Sequence, residues 1–138
     1  MATPQMSDIT TEGIRVGATA FFLPEQSRPE EDRYLFGYRI LIVNDSDETV
    51  QLLRRHWMII DADGKSEEVR GPGVVGQKPI LEPGKAFKYT SYCPLTTDWG
   101  SMEGEYEFQM VDTGELFEVQ IGRFFLHPPI PEEIETGV

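Results

Sequence analysis

Residues 102–110 restrict what this chain can fold into more than any other stretch. Met102, Gly104, Tyr106, Phe108 and Met110 alternate strictly with Glu103, Glu105, Glu107 and Gln109. Side chains two positions apart share one face of a strand, so this run has one dry and one wet surface. No segment of the chain shows a 3.6-residue apolar period, so helices have nothing to be built from.

Other segments repeat the pattern. In residues 12–23, Ile14, Val16, Ala18, Ala20 and Phe22 fall on one side. In residues 33–44, Tyr34, Phe36, Tyr38, Ile40 and Ile42 oppose Leu35, Leu41, Val43 and Arg39, which marks a central strand. Residues 49–61 change phase: Val50 and Leu52 suit one face, whereas Leu53, Trp57 and Ile59 suit the other, and a bulge near Leu52 and Leu53 reconciles them. Asn44 to Asp47 and Asp63-Gly64 carry turn chemistry. Residues 65–70 read as a short polar strand and 86–92 as a strand with Phe87 and Tyr89 inward. Residues 93–101 read as a loop holding Trp99, and 115–126 as a last strand whose phase shifts at Gly122-Arg123. Seven or so short strands separated by turns predict an all-β, immunoglobulin- or fibronectin-type-III-like sandwich of two antiparallel sheets. The expected boundaries are a flexible N-terminus over 1–11, one domain over 12–128, and an acidic, proline-containing tail over 129–138.

A chain of 138 residues is one domain by size and buries enough apolar surface without staples. Its one cysteine, Cys93, cannot form an internal bridge and reads as a small buried hydrophobe. No apolar run reaches a membrane span, and the first residues lack the basic and apolar regions of a signal peptide, which predicts a cytoplasmic protein. With 24 acidic against 12 basic residues, the net charge is −12. Such a field repels nucleic acid and anionic membranes, so neither is an expected partner.

The stretch 70–95 gathers the candidate site residues. Gly71, Gly73 and Gly76 form a G-x-G-x-x-G string flanked by Arg70 and Lys78. In dinucleotide-binding folds such glycines let loop amides reach a pyrophosphate at a helix N-terminus. Here Gln77, Lys78 and Pro79 follow, with no helix and no βαβ unit, so the string reads first as a tight loop between strands. Any anion it took would be held by Arg70, Lys78 and the loop amides. His56, His127 and Cys93 have no ligand spacing, so neither metal nor cofactor is expected. No nucleophile–base pair can be placed, which predicts a protein that is not an enzyme. Trp57 reads as core. Trp99, in a polar loop, reads as an interface anchor beside Tyr92, Arg55 and His56.

Several short motifs occur together: Arg55-His56-Trp57, Asp61-Ala62-Asp63-Gly64, Gly71 to Gly76, Leu81-Glu82-Pro83-Gly84, Phe87 to Ser91, Cys93-Pro94-Leu95 and Gly100 to Tyr106. In that order they resemble the ApaG family over residues 10–128. The resemblance implies a fibronectin-type-III-like sandwich and, from its use in F-box proteins and a DNA-polymerase-interacting protein, a protein-binding module. Bacterial members have been associated with cobalt and magnesium handling. The chain departs from the family at Tyr92, where glycine is common, and at Trp99, where a small polar residue is usual. The expected role is therefore a non-enzymatic protein-binding module, with self-association open. The alternative is a small-ligand binder that takes a nucleotide, pyrophosphate or metal ion at the glycine loop.

Overall fold

The computed structural model describes residues 5–129. Within them nine strands, numbered in chain order, build two antiparallel sheets stacked as a sandwich. In the first sheet, β1 (Met6–Thr11), β2 (Ile14–Phe22), β3 (Tyr34–Asn44) and β7 (Ala86–Leu95) lie in that order. The second holds β5 (Ser66–Pro72), β4 (Val50–Asp61), β8 (Gly100–Met110) and β9 (Leu116–Leu126), with the two-residue β6 (Ile80–Leu81) beside the start of β4. No α-helix occurs among the described residues; two single 3-10 turns, Pro24–Gln26 and Pro29–Glu31, each start on a proline.

The dry faces meet where the alternation places them. Phe36, Tyr38, Ile40, Trp57, Tyr106, Phe108, Val119 and Ile121 are buried in one cluster, and Phe87 packs half-buried against it. The phase problem in β4 is solved by a bulge at Leu53, where the pairing with β8 slips between Leu52 and Arg54. Without that extra residue the parity of Leu52 would carry Arg54 and His56 inward and Trp57 out. A second slip, between Met102 and Gly104 against β9, lets both Ile121 and Phe124 point into the core. The 44–47 turn is organised by the buried Asn44, whose Nδ2 donates to the Glu48 and Leu81 carbonyls while Oδ1 accepts from the Ser46 amide and hydroxyl.

Two expectations are corrected. Residues 6–11 are not a frayed end: they form β1, closed onto β2 by a two-residue turn at Glu12 and Gly13, both at positive φ. Such a turn matches strand twist and makes a tight hairpin from a polar strand whose own alternation is weak. Ser7 Oγ adds a hydrogen bond to the Gly122 carbonyl on β9. Residues 93–95 are not loop but the end of β7, with Cys93 and Leu95 buried. Of the expected acidic tail, residues 130–138 lie outside the described residues.

Candidate functional site

The glycine string is consumed by the architecture of its own loop. Gly71 lies in β5 opposite Arg55, and a Cβ there would come within 2.9 Å of the Arg55 guanidinium. Arg55 shares the inner face with Tyr106, its pairing partner on β8, and Nη1 donates to the Pro72 and Gly73 carbonyls at 3.0 Å each. Gly73 has φ 62°, and a Cβ on it would sit 2.3 Å from the Gln77 carbonyl oxygen. Its amide donates to the carbonyl of the bulged Leu53. Val74 and Gln77 exchange both backbone hydrogen bonds around Val75 and Gly76, again a tight turn with positive φ at both central residues. The amides of Gly73 and Val74 in the string, and of Gln77 just after it, are therefore committed within the protein, and Val74 fills the core. Pyrophosphate recognition needs those amides converging on the ligand. Arg70, the nearest cation in β5, is paired to Glu68 at 3.0 Å.

His56 stands on the wet face of the second sheet. Its Nε2 lies 2.9 Å from Glu68 on β5, and its Nδ1 contacts Glu105 on β8. An imidazolium donates from both nitrogens, whereas a neutral ring would turn one lone pair toward a carboxylate. The hydrogen bonds to Glu105 and then Glu68 accordingly raise the His56 pKa above its ordinary value. His56, with Arg70 beside it, lowers that of Glu68. The same face pairs Arg54 with Glu107 at 2.7 Å and Arg123 with Glu103 at 2.5 Å. A shallow cavity of ≈ 400 Å³ on this face is lined by Arg54, His56, Arg70, Glu105 and Glu107, each in an ion pair, and by Glu118, which has none among the described residues. Among the described residues no group of three His, Cys, Asp or Glu side chains is placed to hold a metal ion. Cys93 is inward on the first sheet, where burial pushes its thiol up to about 12.

The structure separates the other candidates. Trp99 is 45% exposed in the turn between β7 and β8, tied to the β4–β5 turn by Thr97, whose hydroxyl accepts from the Ala62 amide and donates to the Trp99 carbonyl. Tyr92 is 58% exposed on the outer face of the first sheet, opposite Gly37. There it joins residues that the sequence reading passed over. Phe21 folds across Gly37, where a Cβ would lie 2.3 Å from its ring, and Arg39 lies over the same ring at 4.5 Å. Arg39 pairs across to Thr90, and Leu41, itself 41% exposed, pairs with Lys88. A groove of ≈ 560 Å³ runs over this face between Met6, Gly17, Arg39, Leu41, Lys88 and Thr90. Among the described residues neither Arg39 nor Lys88 has an ion-pair partner. A signal for this face was present, since Arg39 interrupts an otherwise apolar central strand and Leu41 shares its face.

A family model described as the ApaG domain matches residues 24–110, well over half of the chain. The chain belongs to the ApaG family. Protein ApaG of Brucella anthropi is 56% identical over 126 residues, covering 91% of this chain and 95% of that protein. Protein ApaG of Brucella canis is 50% identical over 131 residues, or 95% of this chain and 98% of its own length. In three dimensions the ApaG sandwich described above is similar to the crystal structure of the ApaA protein from Bordetella pertussis. The TM-score is 0.82 at 40% identity, over 93% of this chain and 98% of that one. The glycine string, His56 and Tyr92 all fall inside the matched segment.

Proposed function

We propose that this ApaG protein is a non-enzymatic module that binds a protein partner through the outer face of its first sheet. One observation carries the reading. Tyr92 and Leu41 stand exposed on a rigid sheet beside Arg39 and Lys88, two cations without carboxylate partners. Exposed aromatics framed by charge are what protein interfaces anchor on. On the second sheet's outer face Arg54, His56, Arg70 and Arg123 are each paired with a carboxylate, so it presents no comparable pair of unmatched cations. The small-ligand reading at the glycine loop has less support, because the amides of Gly73, Val74 and Gln77 already serve the fold.

The test is capture of partners from a bacterial lysate on immobilised protein, with Tyr92→Ala and Leu41→Ala variants alongside and melting curves to confirm folding. A partner retained by the parent chain and lost from both variants supports the proposal. Retention unchanged in both sinks it, as does dose-dependent stabilisation by ATP or a divalent ion with no protein retained.

A further inference from the structure

Resting on that reading, and naming both the contact and its chemistry, we infer that β7 accepts an extended acidic segment of another protein as a fifth strand of the first sheet. Among the described residues β7 has a neighbour only on its β3 side. The direction of its backbone groups follows from the ladder. The Asn44 amide donates to the Lys85 carbonyl, and on the other side of β3 the Leu23 amide donates to the Leu35 carbonyl. Hydrogen-bonded pairs alternate along an antiparallel ladder, so even-numbered residues of β3 face β7 and odd-numbered residues of β7 face β3. The amides and carbonyls of Lys88, Thr90 and Tyr92 therefore point to the open edge. All three residues are exposed. They form a ready template for main-chain pairing.

Side-chain chemistry selects the occupant. In a strand added at this edge, residues opposite Lys88, Thr90 and Tyr92 project onto the outer face. Thr90 is short and sits between Lys88 on its own strand and Arg39 across the ladder. A carboxylate opposite Thr90 thus stands diagonal to Lys88 and faces Arg39 across the short Thr90, two strands away. Arg39 stacks over the Phe21 ring of β2, on the side of β3 away from the open edge, so Lys88 is the cation nearest the incoming strand. The alternate residues of the incoming strand turn inward over Phe87 and Ser91, which are only half-buried, and suit apolar side chains. The expected segment alternates acidic and apolar residues. A second copy of the chain fits less well, since it would bring another Lys88 and Arg39 against the first. Lysine and Pro94 on this edge also discourage unselective pairing, which leaves acid as the selecting feature.

The probe is a blocked peptide of about eight residues alternating glutamate and valine, with its lysine–valine counterpart as control, a length typical of strands. Amide exchange and chemical shifts are followed by NMR in the full chain. The acidic peptide is expected to bind with Kd below about 1 mM and to slow exchange at Lys88, Thr90 and Tyr92 by about tenfold or more. The lysine peptide is expected to do neither, and Lys88→Glu is expected to reverse the preference. Thr90→Pro removes the central edge donor at a position where proline is compatible with an edge strand, and binding should be lost with the fold intact. No protection at the three amides, equal response to both peptides, or protection without peptide together with a dimer in sedimentation overturns the inference. A lysate partner lost with Tyr92→Ala but indifferent to Thr90→Pro would overturn the strand addition and leave the binding module standing.

Discussion

Replacing Trp57 separates ring size from polarity in the core. The indole is 2% exposed and makes edge-on contacts with Tyr38 at 5.4 Å, Phe124 at 6.0 Å and Tyr106 at 6.4 Å. Its Nε1 has no hydrogen-bond partner among the described residues. Trp57→Ala should cost about 3–5 kcal/mol, as expected when a large aromatic leaves a packed site. Trp57→Phe keeps one ring and most of the edge-on contacts. It forfeits roughly three ring atoms, about 2 kcal/mol at 0.8 per methylene, but it also removes a buried donor whose lack of a partner costs about 1–3 kcal/mol. The net cost of Trp57→Phe should therefore fall between about −1 and +1 kcal/mol. Urea melts read by far-ultraviolet circular dichroism measure both, since a chain of this size exposes enough surface for a well-defined slope. The reasoning fails if Trp57→Phe costs as much as Trp57→Ala, or if Trp57→Ala costs less than about 1 kcal/mol.

Other outcomes follow from single sites. Gly73→Ala forces a Cβ into the Gln77 carbonyl at a positive φ and should cost more than Gly64→Ala, which meets only the backbone penalty of about 1–2 kcal/mol; equal thermal shifts would refute the packing role. Because the folded-state pKa of His56 is raised, its stabilisation is complete below its ordinary pKa of about 6.5 and is lost as pH rises through the folded value. Glu68, lowered, contributes above its unfolded value and loses that as pH falls, so the pair is strongest in mildly acidic solution; urea midpoints for the parent and His56→Gln across pH 5–9 should converge at the alkaline end. Cys93, buried with its thiol raised to about 12, should resist a thiol reagent in the native state at pH 8 and react at once in urea.

The sandwich was legible because its evidence is local. Alternation in β8 and β3, the phase break at Leu52-Leu53 and the shift at Gly122 each report a strand face without knowledge of the neighbour. β1 was missed because its burial comes from pairing with β2 and from Ser7 meeting Gly122, a contact 115 residues away. The same reason hid the site. Glu68, His56 and Glu105 become one cluster only when β5, β4 and β8 are in register, and Arg39 meets Thr90 only through the β3–β7 ladder. The glycine motif reads as a tight loop from its context, since the spacing carries no topology and no helix follows it. Its three glycines serve three local needs: room for Arg55, room for the Gln77 carbonyl, and a left-handed turn.

Net charge is a poor guide to what this protein touches. A total of −12 describes the field beyond about a Debye length, roughly 8–10 Å, where it discourages approach by polyanions. At contact distance only unmatched charges count. On the second sheet Glu103, Glu105, Glu107 and Glu68 each have a basic partner and Glu118 has none among the described residues, so that face keeps a small acidic excess and no unmatched cation. On the first sheet Arg15 is matched by Asp8, whereas Arg39 and Lys88 are not. The acidic chain therefore presents a local cationic strip beside an open strand edge. An isolated acidic segment of a partner can settle there through main-chain pairing, whereas a polyanion as long as nucleic acid would meet the repulsion of the whole molecule.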